Sequence, residues 1–326
     1  MRDRFGAAHP AAAKSAAAAH LRPARAIGGA ARATPRAYRN VAAGRAGAPG
    51  TVLPLRTGVG TVRRVPRPFR VVTWNVNGLR ARIDNVSAYL AEKGPDVLLL
   101  QETKVDDARF PKVPFLELGY RVEAFGSGGY AGVAVASKEP VTDVQRGFAE
   151  GPPDQAARIL AVTVRGVRIY GLYAPNGTKL GSEAFAYKLA WFRRLRDEIA
   201  GRFAADDPVL LGGDFNVAPD DRDVYDPEGL RGTLHVSDEE RAALADLCAI
   251  GLVDCFRSMS DEAGVYSWYD YRHAAFQRRM GMRIDLLLAT RPLAERCRAV
   301  VHDEAPRAWP SPSDHLPVEG HFDWPP

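Results

Sequence analysis

Cysteine is scarce in this 326-residue chain: Cys248, Cys255 and Cys297 stand apart, with no CxxC spacing among them. A disulfide-stapled scaffold and a zinc-site pattern are both excluded, and a reducing compartment fits. Long apolar runs are missing too, so neither a secretory leader nor a membrane span is indicated. No repeat of roughly 20 to 50 residues is visible. Acids are almost absent from residues 1–68, which hold twelve Arg and one Lys against Asp3 alone. Aromatic and periodic apolar positions are sparse there as well, so the segment cannot bury enough surface to offset its ordering entropy. It is expected to be a disordered basic arm. Such a composition suits an organelle transit peptide, a tail with nonspecific affinity for nucleic acid, or a leader with no role.

Residues 69–326 carry seven more acids than bases. Apolar residues make up 46% of the chain, ample for one large α/β domain. Phe69 to Asn75 and Val97 to Leu100 read as strands, with a helix from Leu79 to Gly94-Pro95 between them. Short strands are expected near 120–125, 131–136, 141–147, 157–164 and 167–173. Ser182 caps a predicted helix to about Phe203 whose apolar stripe is Phe185, Leu189, Phe192, Leu195 and Ile199. A buried strand near 208–212 follows, then a helix over 237–249 entered through a capping box, Ser237-Asp238-Glu239-Glu240. Strands near 283–289, 297–302 and 317–322 complete the pattern. So many strands with so few helices exclude a doubly wound sheet and predict a four-layer α/β sandwich, two packed mixed β-sheets flanked by helices.

Polar residues recur where apolar strands end, the rim at which open α/β sheets bind ligands. The pattern centres on Val209-Leu210-Leu211-Gly212-Gly213-Asp214-Phe215-Asn216, where two glycines would let the backbone turn tightly and approach a ligand. Asp214 and Asn216 offer a carboxylate and an amide that can orient a water and grip a phosphate, although an ordinary Asx turn has the same composition. Asp285 lies inside an apolar strand and so needs a partner, for which His315 is the natural choice.

Taken together, Thr73-Trp74-Asn75-Val76-Asn77-Gly78, Gln101-Glu102-Thr103-Lys104, Tyr173-Ala174-Pro175-Asn176-Gly177, Gly213-Asp214-Phe215-Asn216, Ser267-Trp268-Tyr269-Asp270-Tyr271-Arg272, Arg283-Ile284-Asp285 and Ser313-Asp314-His315 form a pattern across Phe69 to Phe322. It resembles the exonuclease III family of class II AP endonucleases, within the endonuclease/exonuclease/phosphatase superfamily. The resemblance implies Mg²⁺, replaceable by Mn²⁺, bound chiefly by Glu102 with Asn75 and Asp314 in or beside the shell. It implies Asp214 as base or water-orienting group, Asn216 as holder of that water or a phosphate oxygen, and Tyr173 and Asn176 as donors to the phosphoryl oxygens. His315, paired with Asp285, would face the phosphate. Trp268 and Met282 would wall a recess for a flipped-out abasic sugar, and Lys179 and Arg272 would contact DNA. Lys104, Arg80, Lys179, Arg272, Arg278, Arg279 and Arg283 would form a basic rim around the acidic centre.

The implied activity is incision of duplex DNA 5′ to abasic sites, with 3′-phosphodiesterase and 3′-to-5′ exonuclease action on blocked ends. The enzyme would be a cytoplasmic monomer, associated with the nucleoid through DNA and independent of membranes; organelle targeting by the arm is the alternative location. A phospholipid or inositol phosphate hydrolase of the same superfamily, and a DNA-binding module without catalysis, remain as alternatives. Removing residues 1–68 is expected to leave metal-dependent turnover unchanged. If the arm touches DNA, log Kd for DNA will rise less steeply with log salt in the truncated protein; loss of folding on truncation would show that the arm is structural.

Overall fold

The computed structural model describes residues 68–153 and 156–325. The expected disordered arm, apart from Pro68, therefore lies outside the described residues. In chain order the elements are β1 (Phe69–Asn75), α1 (Leu79–Lys93), β2 (Val97–Gln101), α2 (Val113–Glu117), β3 (Arg121–Phe125), β4 (Val133–Ser137), β5 (Thr142–Arg146), β6 (Ile159–Val164) and β7 (Val167–Tyr173). There follow α3 (Glu183–Arg202), β8 (Val209–Asp214), α4 (Asp238–Cys248), β9 (Leu252–Asp254), β10 (Trp268–Tyr269), β11 (Gly281–Met282), β12 (Asp285–Thr290), α5 (Arg291–Ala294), β13 (Cys297–His302) and β14 (Val318–Phe322).

Two six-stranded sheets form, ordered β13-β14-β1-β2-β4-β3 and β5-β6-β7-β8-β12-β9, with β10-β11 as a separate hairpin. Each sheet is antiparallel except for one parallel pair, β1 with β2 and β7 with β8. Side chains alternate between the faces of a strand. Val71, Leu99, Val135, Leu160, Ile169, Leu210 and Leu287 thus meet between the sheets. Their neighbours face outward: Val72, Leu98 and Leu100 meet Val86, Tyr89 and Phe115 of α1 and α2, while Val209, Leu211, Leu286 and Leu288 meet Trp191, Phe192, Leu195 and Leu247 of α3 and α4. Burial on both faces is why these strands read as unbroken apolar runs. The four-layer α/β sandwich follows directly.

Both helix caps read from sequence form: the Ser182 hydroxyl accepts Phe185 N–H at 3.2 Å, and Ser237 and Glu240 close a reciprocal capping box. The short elements β9, β10, β11, α2 and α5, of two to five residues each, fell below any periodicity signal. Along α3 the stripe departs from the expected one: Lys188 and Trp191 are buried and Leu189 is only half-buried.

Gly212 and Gly213 also differ from expectation. They lie inside β8, buried, and make no turn. A Cβ on Gly212 would come 2.7 Å from Leu99 Cδ1 across the inter-sheet core, and one on Gly213 would come 2.0 Å from the Leu172 carbonyl oxygen of β7. Their smallness lets the sheets and the parallel pair close up, which fixes the height at which Asp214 emerges. Gly213→Ala is expected to lower stability in chemical denaturation by at least the ~1–3 kcal/mol typical of overpacking. An unaltered midpoint would show that β7 and β8 can separate freely.

Candidate active site

The two parallel pairs end at one edge of the sandwich. Register places Asn75 beside Gln101 in one sheet, and Asp214 beside both Tyr173 and Asp285 in the other. Asn75 joins the sheets: its Nδ2 donates to Glu102 Oε1 at 2.8 Å and to Asp214 Oδ2 at 2.9 Å. A backbone N–H, that of Asn77, donates to Asn75 Oδ1 at 2.9 Å, so the amide orientation is set and its oxygen faces its own chain. Asn75 is thus placed as a clamp on two carboxylates. Asp214, 1% exposed, also accepts the Asn216 N–H at 2.8 Å on Oδ1. Glu102 (φ 50) and Asn216 (φ 53) occupy the left-handed region, a conformation that non-glycine residues hold only where surroundings impose it.

His315 stands between two acids. Its Nδ1 is 2.9 Å from Asp285 Oδ2 and its Nε2 is 3.8 Å from Asp214 Oδ2, so the expected pairing with Asp285 forms. Ser267 holds Asp285 in turn, its hydroxyl donating to Oδ2 at 2.6 Å. Burial alone would lower the basicity of His315, but the carboxylates of Asp285 and Asp214 raise its pKa well above the ordinary value. Burial pushes the Asp214 pKa upward, His315 opposes this, and Asp285 adds to it. Tyr173 is raised by burial, then by Glu102 and Asp214, so its hydroxyl stays protonated and able to donate.

Among the described residues, ligand atoms of Glu102, Asp214 and His315 lie within 4.8 Å of one another. Glu102 already attracts a cation: Lys104 Nζ sits 2.9 Å from Oε2 and also donates to Asn77 Oδ1 at 2.6 Å. Asp314 stands outside this trio, accepting from Asn77 Nδ2 at 3.0 Å and from Trp268 Nε1 at 3.1 Å. Asn176, exposed, donates to Asn216 Oδ1 at 3.3 Å. Trp268 and Met282 are direct cross-strand partners in the β10-β11 hairpin, and Trp268 also bridges to His315. Lys179 is exposed in the loop after Asn176, and Arg272 is exposed with its guanidinium forked onto Asp270, at 2.6 Å for Nη2.

Arg283 does not belong to a rim. It is 1% exposed, its Nε 2.7 Å from Asp223 Oδ1 and its Nη2 2.8 Å from Asp254 Oδ2, because a charge at the buried entrance to β12 needs full pairing. Arg279 is paired with Glu304.

The sequence pointed to no role at the site for Lys188 or His235, nor for Glu240 beyond its capping box. Lys188 Nζ donates to the main-chain carbonyls of Asn216 at 2.7 Å and Asn176 at 3.2 Å, and pairs with Glu240. His235 lies with Nδ1 2.6 Å from the Asn216 carbonyl and Nε2 3.4 Å from Asn176 Nδ2. Its pKa falls to about 4 through burial and then the charge of Lys188, leaving a neutral ring that must donate from Nδ1 to the carbonyl. In the spacing Phe185, Lys188, Phe192, Leu195, Ile199 this lysine fits the buried stripe as well as Leu189 does.

A buried carboxylate beside a second acid paired with a lysine, a His–Asp pair and several hydrogen-bond donors at one sheet edge suit the hydrolysis of phosphoesters. The model of the Endonuclease/Exonuclease/phosphatase family matches residues 72–315. Exodeoxyribonuclease III of Haemophilus influenzae is 33% identical over 265 residues, 78% of this chain and 99% of that protein. An AP endonuclease of Archaeoglobus fulgidus superposes with a TM-score of 0.74 at 37% identity, covering 78% of this chain and 99% of its own. A Neisseria 3′ phosphatase bound to a product DNA hairpin gives 0.76 at 39% identity, covering 78% and 100%. The chain belongs to the endonuclease/exonuclease/phosphatase family, in its exonuclease III branch of class II AP endonucleases. It is a hydrolytic nuclease of a divalent metal-dependent family.

Asp214→Asn is expected to lower turnover by at least the ~10²–10⁴-fold associated with a lost general base while leaving DNA affinity nearly intact. An active Asp214→Asn enzyme in steady-state assays would overturn the role given to this carboxylate.

Proposed function

We propose that residues 69–326 form one catalytic domain, a Mg²⁺-dependent DNA-repair phosphodiesterase that cleaves the backbone of duplex DNA 5′ to abasic sites. It would act as a monomer and also remove 3′ blocking groups and 3′ nucleotides. The observation that carries this reading is the buried Asp214, pushed toward neutrality and held by Asn75 and the Asn216 N–H. A carboxylate so tuned accepts a proton from water at neutral pH.

Glu102 is the main candidate ligand for a hard cation, since its carboxylate already draws the Lys104 ammonium. His315, its Nδ1 held by Asp285 and its pKa raised against burial by the carboxylates of Asp285 and Asp214, serves this reading as a donor through Nε2. Asp314, with both oxygens accepting hydrogen bonds, would stand beside the shell. Bound Mg²⁺, or Mn²⁺ in its place, would offset negative charge at the leaving 3′ oxygen. Asp214 takes the proton of the attacking water, which Asn216 helps hold. Tyr173, Asn176 and charged His315 donate to the non-bridging oxygens, where negative charge grows. Trp268 and Met282 offer an apolar wall for a sugar without a base, whose extrusion costs little stacking. No helix among the described residues is long and apolar enough to cross a membrane.

The deciding experiment incubates the enzyme and Mg²⁺ with a duplex carrying one abasic analogue, an intact duplex serving as control. Incision only at the lesion, abolished by chelation and restored by Mg²⁺, is expected. Binding without cleavage would favour a DNA-binding module, and neither would redirect the assignment to lipid or inositol phosphate esters.

A further inference from the structure

Beneath the loops that carry Asn176 and Asn216 lies an ion pair with no part in the proposed chemistry. Lys188 of α3 and Glu240 of α4 are both fully buried. Removing two charges from water is costly, and apolar residues of similar volume commonly serve stability as well or better. The positions of the lysine's three protons suggest another purpose. One goes to Glu240 Oε1, one to the Asn216 carbonyl at 2.7 Å and one to the Asn176 carbonyl at 3.2 Å. These carbonyls belong to separate loops, one after β7 and one after β8, and to the two residues whose side-chain amides meet at 3.3 Å.

The pair is itself anchored. Glu240 Oε2 accepts the Ser237 hydroxyl at 2.7 Å and the Ser237 N–H at 3.2 Å, tying it to the start of α4. Gly177 (φ +92) packs so closely on the lysine stem that a Cβ would lie 3.1 Å from Lys188 Cδ. Asn216, in the left-handed region, receives the ammonium and the His235 Nδ1–H on one carbonyl.

We infer that the Lys188–Glu240 pair is a positioning device that sets the Asn176 and Asn216 amides jointly against the scissile phosphate; the inference rests on the function proposed above. Lys188 touches no substrate in this scheme and acts only through the two loops.

The test uses the full chain with Lys188→Met and Glu240→Gln together, since Lys188→Met alone would leave a buried carboxylate unpaired. The double variant is expected to fold and bind DNA with KM within about threefold of the parent, while kcat falls ~10- to 100-fold, because the amides act where charge develops. Introduced into Asn216→Ala, the same two changes should cost less than about threefold more, since the effects share one route. Equal losses in both backgrounds, or an unaltered kcat, would overturn the inference. A second readout needs no turnover: the side-chain NH₂ resonances of Asn176 and Asn216, assigned through Asn→Asp variants, should shift in the double variant. Unmoved resonances would also overturn it. A parent that cleaves no DNA would defeat the functional reading alone, and the resonances would then decide the positioning role. Should the double variant not fold, Glu240→Gln by itself carries both readouts.

Discussion

Everything at the catalytic edge depends on keeping Glu102, Asp214 and Asp285 close together in a poorly solvated place. Carboxylates so arranged repel one another. They are held by the Asn75 amide between Glu102 and Asp214, the Asn216 N–H on Asp214, His315 between Asp285 and Asp214, the Ser267 hydroxyl on Asp285 and Lys104 on Glu102. The same crowding that makes the assembly costly raises Asp214 and keeps His315 charged. Cost and chemical capacity have one origin.

The sandwich supplies the frame for that balance. A parallel pair in each sheet delivers strand ends to a common edge, and the sheets approach because Gly212 presents no side chain to Leu99. Asn75 then bridges from one sheet to the other, so the distance between the layers and the spacing of the carboxylates are a single quantity. On the outer face, α3 and α4 pack against the second sheet and send Lys188 inward to the loops carrying Asn176 and Asn216. Packing and polar positioning are thus done by the same helices.

Much of this was legible along the chain. Unbroken apolar strands, the caps at Ser182 and Ser237, and the need of Asp285 for a partner all rest on local composition, and each appears as read. The glycines of β8 were misread because a turn and a close packing contact demand the same residue, and only neighbours across the sheets distinguish them. Arg283 was placed on the surface because charge suggests solvent; Asp223 and Asp254, 60 and 29 residues away, were invisible as partners. Lys188 was hidden by the adjacent Leu189, an equally good candidate for the stripe until packing chose.

The sequence by itself determined the layered α/β class, the strand ends on which the chemistry collects, and the acids, amides and histidine available there, since periodicity and residue type are local properties. Tertiary structure alone decided which groups share a proton or a charge. It turned the Asn75 amide nitrogen toward two carboxylates, set His315 between Asp285 and Asp214, left Asp314 with Trp268 and Asn77, and buried Lys188 beneath two loops. Those outcomes follow from distances between strands far apart in the chain, and such distances are fixed only when the two sheets close on their common core.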